Sequence, residues 1–325
     1  VKLEFLKCHG SGNDFIIIDE WNNDYSFSEE ERKELAVQLS RRGGPIGSDG
    51  ILFVMSSESA DARMRMFNSD GSEAEMCGNG LRCAARYAID RTGKKELVFE
   101  TMKADLPVAE VPEIYEGIRT FEVAIEPVSF DPASLPMSTK KNEWINTPIP
   151  EIQEEISFTA LSVPNPHLAA VVNYVDDSAV QISGERANEC KQLFPNGTNV
   201  SFIKSLSAQK IFVRTYERGV GLTNACGTAM SASTLVSCLL GHQPFNEVIT
   251  VYNPGGMVQT IVNKKDENFF IKLRGNATYE FEGTVSLDLE NPSGTSVLEK
   301  KDFPEEKKLY EKMARYAAES GVQAH

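Results

Sequence analysis

The chain has 325 residues, 41% hydrophobic and 25% charged, which excludes a disordered tract, a collagen-like repeat and a disulfide-dense miniprotein. With 33 basic against 47 acidic residues, the formal net charge is −14. That argues against a nucleic-acid partner, which needs a basic footprint, but not against a small anionic substrate held by a few backbone amides. No run approaches the roughly 18 apolar residues of a membrane span. Val1-Lys2-Leu3-Glu4 opens neither a basic nor an apolar leader segment, so the expectation is a soluble cytoplasmic chain of about two domains.

In chain order, the first strand-like run is Phe15-Ile16-Ile17-Ile18. The turn residues Gly47-Ser48-Asp49-Gly50 lead into Ile51-Leu52-Phe53-Val54, and Met64-Arg65-Met66-Phe67-Asn68 follows. Cys77-Gly78 then opens a helix-like stretch, Leu81 to Ile89, stopped by Gly93. Strands are predicted at Leu97-Val98-Phe99-Glu100 and from Thr120 to Ile125, before a Pro-rich connection from Pro127 to Pro150. The second half reads the same way. Leu168 to Val172 is a strand, and Asn196-Gly197-Thr198-Asn199 a turn. Strands at Val200-Ser201-Phe202-Ile203 and Val213-Arg214-Thr215-Tyr216-Glu217 lead to Cys226-Gly227 and a helix to Ser237, stopped by Gly241. Further strands are predicted at Val248-Ile249-Thr250-Val251 and Phe269 to Leu273. Near the end, Asp302 and Pro304 start a helix over 304–319 with Leu309, Met313, Tyr316 and Ala317 on one face.

The two halves are in register. Arg214 follows Arg65 by 149 residues, and Cys226 follows Cys77 by the same 149. Each Arg-x-aromatic-polar segment precedes its Cys-Gly by nine residues, counted from the polar one. The period is far too long for a solenoid and points to a duplicated α+β domain, a sheet covering one apolar helix in each half.

Of the six cysteines, Cys8, Cys190 and Cys238 read as small buried hydrophobes. No CxxC pair occurs, and the histidines are His9, His167, His242 and His325, so no structural zinc pattern is present. Cys77 and Cys226 differ because each stands at a helix start, where unpaired amides and the macrodipole stabilise a thiolate. Two such thiols on opposite sides of one carbon would suit inversion: one abstracts a proton and the other donates one. The amides of the glycine-rich starts can hold a carboxylate. Neither loop has the Gly-Lys-Ser/Thr ending of a P-loop.

These residues resemble the diaminopimelate epimerase family of cofactor-independent, two-cysteine racemases. The resemblance runs from residue 7 to about 280. It rests on Lys7-Cys8-His9-Gly10-Ser11-Gly12-Asn13-Asp14-Phe15, Phe67-Asn68-Ser69-Asp70-Gly71-Ser72, Met76-Cys77-Gly78-Asn79-Gly80 and Asn165-Pro166-His167. Tyr216-Glu217-Arg218-Gly219-Val220-Gly221 and Thr223-Asn224-Ala225-Cys226-Gly227-Thr228 complete it. It implies two pseudo-symmetric domains, each a curved sheet or barrel around a central helix, with the active site in the cleft between them. The halves would be 1–128, joined by a returning strand at about 277–289, and 129–276, with 290–325 as a tail. Cys77 and Cys226 would be the acid/base pair, with His167 and Glu217 tuning or orienting them. Asn13, Asn68, Asn165, Asn199, Glu217 and Arg218 would hold the distal end of the substrate, and Gly78, Asn79, Gly227 and Thr228 its reacting carboxylate. No cofactor or metal is implied. The resemblance implies a small amino-acid substrate as partner, with no nucleic acid or membrane, and would allow a homodimer.

Three positions depart from the pattern: Pro164 and Ala229 replace common glycines, and Gly50 stands where some members place a glutamine. Other readings remain open. A racemase for histidine or proline could use the same scaffold, the thiols could form a redox switch, or the scaffold could bind without catalysis. Taken singly, the asparagines could be turn formers, Glu217 and Arg218 a solvated pair, and His167 a satisfied loop residue.

Overall fold

A computed structural model describes residues 2–287 and 294–321. The chain divides into two compact units, Val1–Val123 with Gly275–Lys312, and Ala124–Arg274 with Met313–His325. Residues 288 and 289, expected to end the returning strand, lie outside the described residues, as does His325.

The first unit contains β1 (Lys2–Gly10), β2 (Asn13–Asp19), α1 (Glu29–Ser40), β3 (Gly50–Met55), β4 (Ala62–Asn68), β5 (Glu73–Ala74) and α2 (Gly78–Thr92). It continues through β6 (Glu96–Glu100), β7 (Asp105–Val111) and β8 (Thr120–Ile125). In the second unit are β9 (Thr147–Ile149), β10 (Gln153–Ser162), β11 (Pro166–Val171), α3 (Asp177–Glu189), β12 (Asn199–Ser207), β13 (Lys210–Glu217), β14 (Gly221–Thr223) and α4 (Gly227–Leu239). Its remaining strands are β15 (Val248–Asn253), β16 (Gly256–Lys265) and β17 (Asn268–Asn276). The chain then returns to the first unit as β18 (Thr278–Ser286) and β19 (Ser296–Asp302) and ends in α5 (Pro304–Gly321).

The duplication read from spacing is present in the hydrogen bonding. In the first unit β2 pairs antiparallel with β1 and parallel with β3; β4 is antiparallel to β3 and parallel to β6. The second unit repeats this with β11 against β10 and β12, then β13 against β12 and β15. Both parallel steps cross over through a helix, α1 or α3 and then α2 or α4, as parallel pairing requires.

Strands β2 and β3 are apolar on both faces because helices cover both. Leu35, Ala36 and Leu39 of α1 share a core with Ile16, Ile18, Ile51, Phe53 and Phe67. The alternate set, Ile17, Leu52 and Met66, points the other way, and Leu52 reaches Gly80 of α2. Helix α2 is buried without interruption from Gly78 to Ile89, and α4 from Gly227 to Cys238. A helix enclosed on all sides should be apolar all round. Two of the α4 hydroxyls meet this by folding onto the backbone: Ser231 donates to the Gly227 carbonyl at 2.9 Å, and Thr234 to that of Met230 at 2.9 Å, whereas the buried hydroxyls of Ser233 and Ser237 have no hydrogen-bond partner among the described residues.

The repeated arginines anchor the crossover helices. Arg65 pairs with Glu29 in the first turn of α1 at 2.6 Å, and Arg214 with Asp177 in the first turn of α3 at 2.8 Å. The sequence reading assigned neither helix. Their signals were the Ser28–Glu31 capping box and the Asp176 cap, since both helices are polar on average, with few apolar positions. Strand β19 was also unassigned, because its run Ser296-Val297-Leu298-Glu299-Lys300-Lys301-Asp302 is almost wholly exposed and lacks alternation. Helix α5 buries Met313, Ala317 and Gly321, while Tyr316, expected on that face, is exposed. Cys190, expected to be buried, is half-buried at the C-cap of α3. None of the described helices is long and apolar enough to cross a membrane.

Candidate active site

Both cysteines singled out by the repeat are helix N-caps with extended backbone, Cys77 for α2 and Cys226 for α4. Cap geometry directs the side chain back over the first turn, where amides lack intrahelical partners. The Cys77 Sγ accepts from the Gly80 amide at 3.3 Å. A side chain at Gly80 would bring its Cβ to 2.9 Å from Leu52 Cδ2 and 3.4 Å from that sulfur, so glycine lets the thiol sit down on the amide. Cys226 makes no such backbone cap bond, and its sulfur lies 3.5 Å from the Thr228 hydroxyl. Ala229, at the position matching Gly80, is fully buried.

In the first unit, the β1–β2 turn and the end of β4 supply the other expected residues. Asn13 Oδ1 is 4.0 Å from the Cys77 sulfur and accepts from the Asn79 amide group at 3.2 Å. The Asn13 amide group donates to Asp49 at 2.6 Å. Asn68 pairs with Gly50 across β3–β4 and donates to Ser72 at 3.0 Å. The backbone leaves no room for a glutamine at 50, since any Cβ there would collide with the Phe67 carbonyl oxygen. The structure thus gathers Asn13, Gly78 and Asn79 at the Cys77 cap.

In the second unit, β11 and β12 run parallel with His167 beside Asn199, and Asn165 lies just before β11. The His167 ring is fully buried, and its Nε2 lies 2.9 Å from Asn165 Oδ1. With the proton on Nε2, Nδ1 keeps a free lone pair, and it has no hydrogen-bond partner among the described residues. Burial, with the Arg218 charge adding to it, holds this imidazole down to about 3, so it is neutral through the physiological range. Asn199 Oδ1 accepts the Arg218 backbone amide at 2.9 Å, and the exposed Arg218 guanidinium donates to the Asn196 carbonyl at 3.2 Å. Glu217 ends β13 and pairs with Gly221.

The two thiols sit in different fields. Burial pushes Cys77 up to about 12, against the pull of the Gly80 amide and the Arg82 guanidinium. Burial also pushes Cys226 well above the usual thiol value, and there the Glu217 carboxylate pushes the same way. Glu217 is therefore close enough to act on a thiol, whereas the bonded partner of His167 is Asn165. Sequence reading did not single out Arg82. Its signal was one of two arginines, with Arg86, in a helix predicted to be enclosed. No cluster of three or more metal-ligating side chains occurs among the described residues.

A model of the family described as diaminopimelate epimerase matches residues 5–115 and 159–280, a span that includes both caps. A Clostridium acetobutylicum protein named diaminopimelate epimerase is 46% identical over 97% of this chain and 95% of its own. One of the same name from Ligilactobacillus salivarius is 46% identical over 85% of this chain and 88% of its own. Solved structures share the fold at low identity. A PhzF-family phenazine biosynthesis protein of Bacillus anthracis has a TM-score of 0.64 at 19% identity, covering 88% of this chain and 100% of that one. A hydroxyproline epimerase of Agrobacterium vitis has a TM-score of 0.62 at 14% identity, covering 91% and 94%. The duplicated α+β units are thus the fold of that wider group, and both curated relatives named above match over most of the chain under the same name. The chain therefore belongs to the diaminopimelate epimerase family.

Proposed function

We propose that the chain interconverts LL- and meso-2,6-diaminopimelate by two-base proton transfer, with Cys77 and Cys226 as the two bases. The observation that carries this reading is the matched pair of thiol caps, each on the first turn of an enclosed helix in one copy of a duplicated unit. One cysteine, as thiolate, takes the α-proton, so that an S–H bond forms as the Cα–H bond breaks. The other, as thiol, delivers its proton to the opposite face, and the centre inverts with no net redox change. The Gly78, Asn79, Gly227 and Thr228 amides belong to helix first turns, and donors of that kind stabilise the charge that builds on the reacting carboxylate. Asn13, Asn68, Asn165, Asn199, Glu217 and Arg218 hold the distal amino-acid end. Such a reaction serves lysine and cell-wall precursor synthesis in the cytoplasm.

The test is incubation of reduced protein with LL-diaminopimelate in deuterated water, without pyridoxal phosphate or metal, followed by NMR and chiral chromatography. Inversion with α-deuterium incorporation is the expected result. Exchange only of another amino acid, such as histidine or proline, would keep the thiol chemistry and replace the substrate. No exchange across an amino-acid panel would sink the reading.

A further inference from the structure

The duplicated units match in backbone and in the N-cap position of their cysteines, yet they differ in charge around those positions. Arg82 of α2 stands where α4 has Ser231, and Glu217 of β13 stands where β4 has Asn68, each pair separated by the 149-residue offset of the repeat. The first unit therefore places a cation next to its cysteine's helix turn, and the second places an anion.

Arg82 is unusual in its own right. It is fully buried, and no carboxylate pairs with it among the described residues. One turn along α2, Arg86 has the ordinary arrangement, with Glu306 accepting two bonds from it. The Arg82 guanidinium instead donates to neutral groups only: Asn79 Oδ1 at 2.9 Å, Ser11 Oγ at 3.1 Å, the Asn276 carbonyl at 3.1 Å and the Gly78 carbonyl at 3.5 Å. Two glycines make room for it. A Cβ at Gly10 would stand 3.0 Å from its Nη2, and one at Gly275 would stand 2.9 Å from its Cζ. An uncompensated buried cation is costly, so a fold that builds a slot for one keeps its charge in use. The titratable groups that feel it are Cys77 and Cys83 on α2, His9 on β1 and Tyr310 on α5. Of these, Cys77 is the one at the helix start, where the Gly80 amide donates to its sulfur at 3.3 Å, and Asn79 of the same turn accepts from the guanidinium.

We propose that Arg82 is a positioning residue that makes Cys77 the more readily ionised member of the catalytic pair, while Glu217 keeps Cys226 as the thiol. The proposal rests on the two-thiol reading above and adds an order to it. The guanidinium supplies positive charge from beneath the first turn of α2 and fixes Asn79 with the same fork. Burial lowers Arg82 only to about 10, so it remains a cation at neutral pH.

The test is alkylation of the reduced, full-length protein with iodoacetamide across a pH series, each cysteine read separately by peptide mapping. In the wild type, Cys77 is half-modified at lower pH than Cys226; the reverse order overturns the proposal with no variant needed. In Arg82→Gln the Cys77 midpoint rises by about one pH unit, a roughly ten-fold loss of thiolate at fixed pH, and that of Cys226 stays put. Arg82→Lys keeps the charge and loses the fork, so its midpoint stays within a few tenths of wild type while kcat falls. An unmoved Cys77 midpoint in folded Arg82→Gln overturns the proposal, and so does a rise of a full unit in Arg82→Lys, whether or not the glutamine variant folds. Alkylation does not depend on diaminopimelate turnover, so failure here leaves the deuterium-exchange result standing, and the converse also holds.

Discussion

Asn68 and Glu217 occupy the same place in the two units: each ends the strand that leads, nine residues later, into its cysteine cap. The amide is neutral, whereas the carboxylate reaches Cys226 and opposes its ionisation. Glu217→Gln therefore lowers the pH at which Cys226 alkylates, by about one unit. A Cys226 midpoint unchanged or raised in this variant would contradict the assignment of the carboxylate to that thiol.

Removing either thiol should stop inversion without unfolding the chain. Cys77→Ser and Cys226→Ser each replace sulfur by a smaller oxygen that can still cap a helix, so stability changes by only about 1 kcal/mol. Proton transfer loses a factor of at least ~100. The assay is inversion of LL-diaminopimelate, with circular dichroism to confirm folding; wild-type turnover in either variant would refute the two-base reading.

The first turns of the two helices differ in their tolerance of a methyl group. Gly80→Ala forces a Cβ to 2.9 Å from Leu52 Cδ2 beneath the Cys77 sulfur. Overpacking of this kind costs about 1–3 kcal/mol, and displacing the cap lowers kcat. Ala229→Gly, at the matching position of α4, costs only about 1 kcal/mol through backbone entropy. Chemical denaturation of both variants decides, and equal destabilisation would show that the close approach at Gly80 is not limiting.

Acid should weaken the fold through its buried histidines. Burial holds His167 to about 3 and His9 to about 4, against an ordinary value of 6.5. The unfolded chain thus binds protons that the folded chain refuses. The neutral folded forms contribute full stability above about 6.5, and that contribution is lost as pH falls toward the folded values. His167→Gln removes one such proton, flattening the stability–pH slope by about 1.4 kcal/mol per unit across that window. A slope identical to wild type would show that His167 is not buried in neutral form.

Much of this was legible because the repeat is carried by residues that cannot easily be exchanged. Arg65 and Arg214 each tie a crossover helix to the sheet, and Cys77 and Cys226 each cap an enclosed one, so their spacing survives with the fold. Strands β2 and β3 stood out because burial on both faces makes them continuously apolar, and β11 and β12 through shorter apolar runs, broken in β12 by Ser201. Helices α1 and α3 did not, since their polar outer faces dilute the pattern that marks α2 and α4. At the site, the candidate asparagines could be named from motifs, but the bond from His167 to Asn165 depends on β11 bringing them to one sheet end. The charge contrast between Arg82 and Ser231 is plain in the aligned halves, but its meaning requires knowing that position 82 is fully enclosed.

Strand β19 matters for what the protein avoids. Among the described pairings it bonds only β18, laying Glu299, Lys300 and Lys301 along the outermost strand of the first unit. A row of unsatisfied amides and carbonyls invites strand addition by another molecule, and charged side chains on such a row discourage it. The segment beyond the family's matched region therefore works as a guard against aggregation: a chain ending before Ser296 would leave the β18 backbone from Phe281 to Ser286 open as a template for self-association.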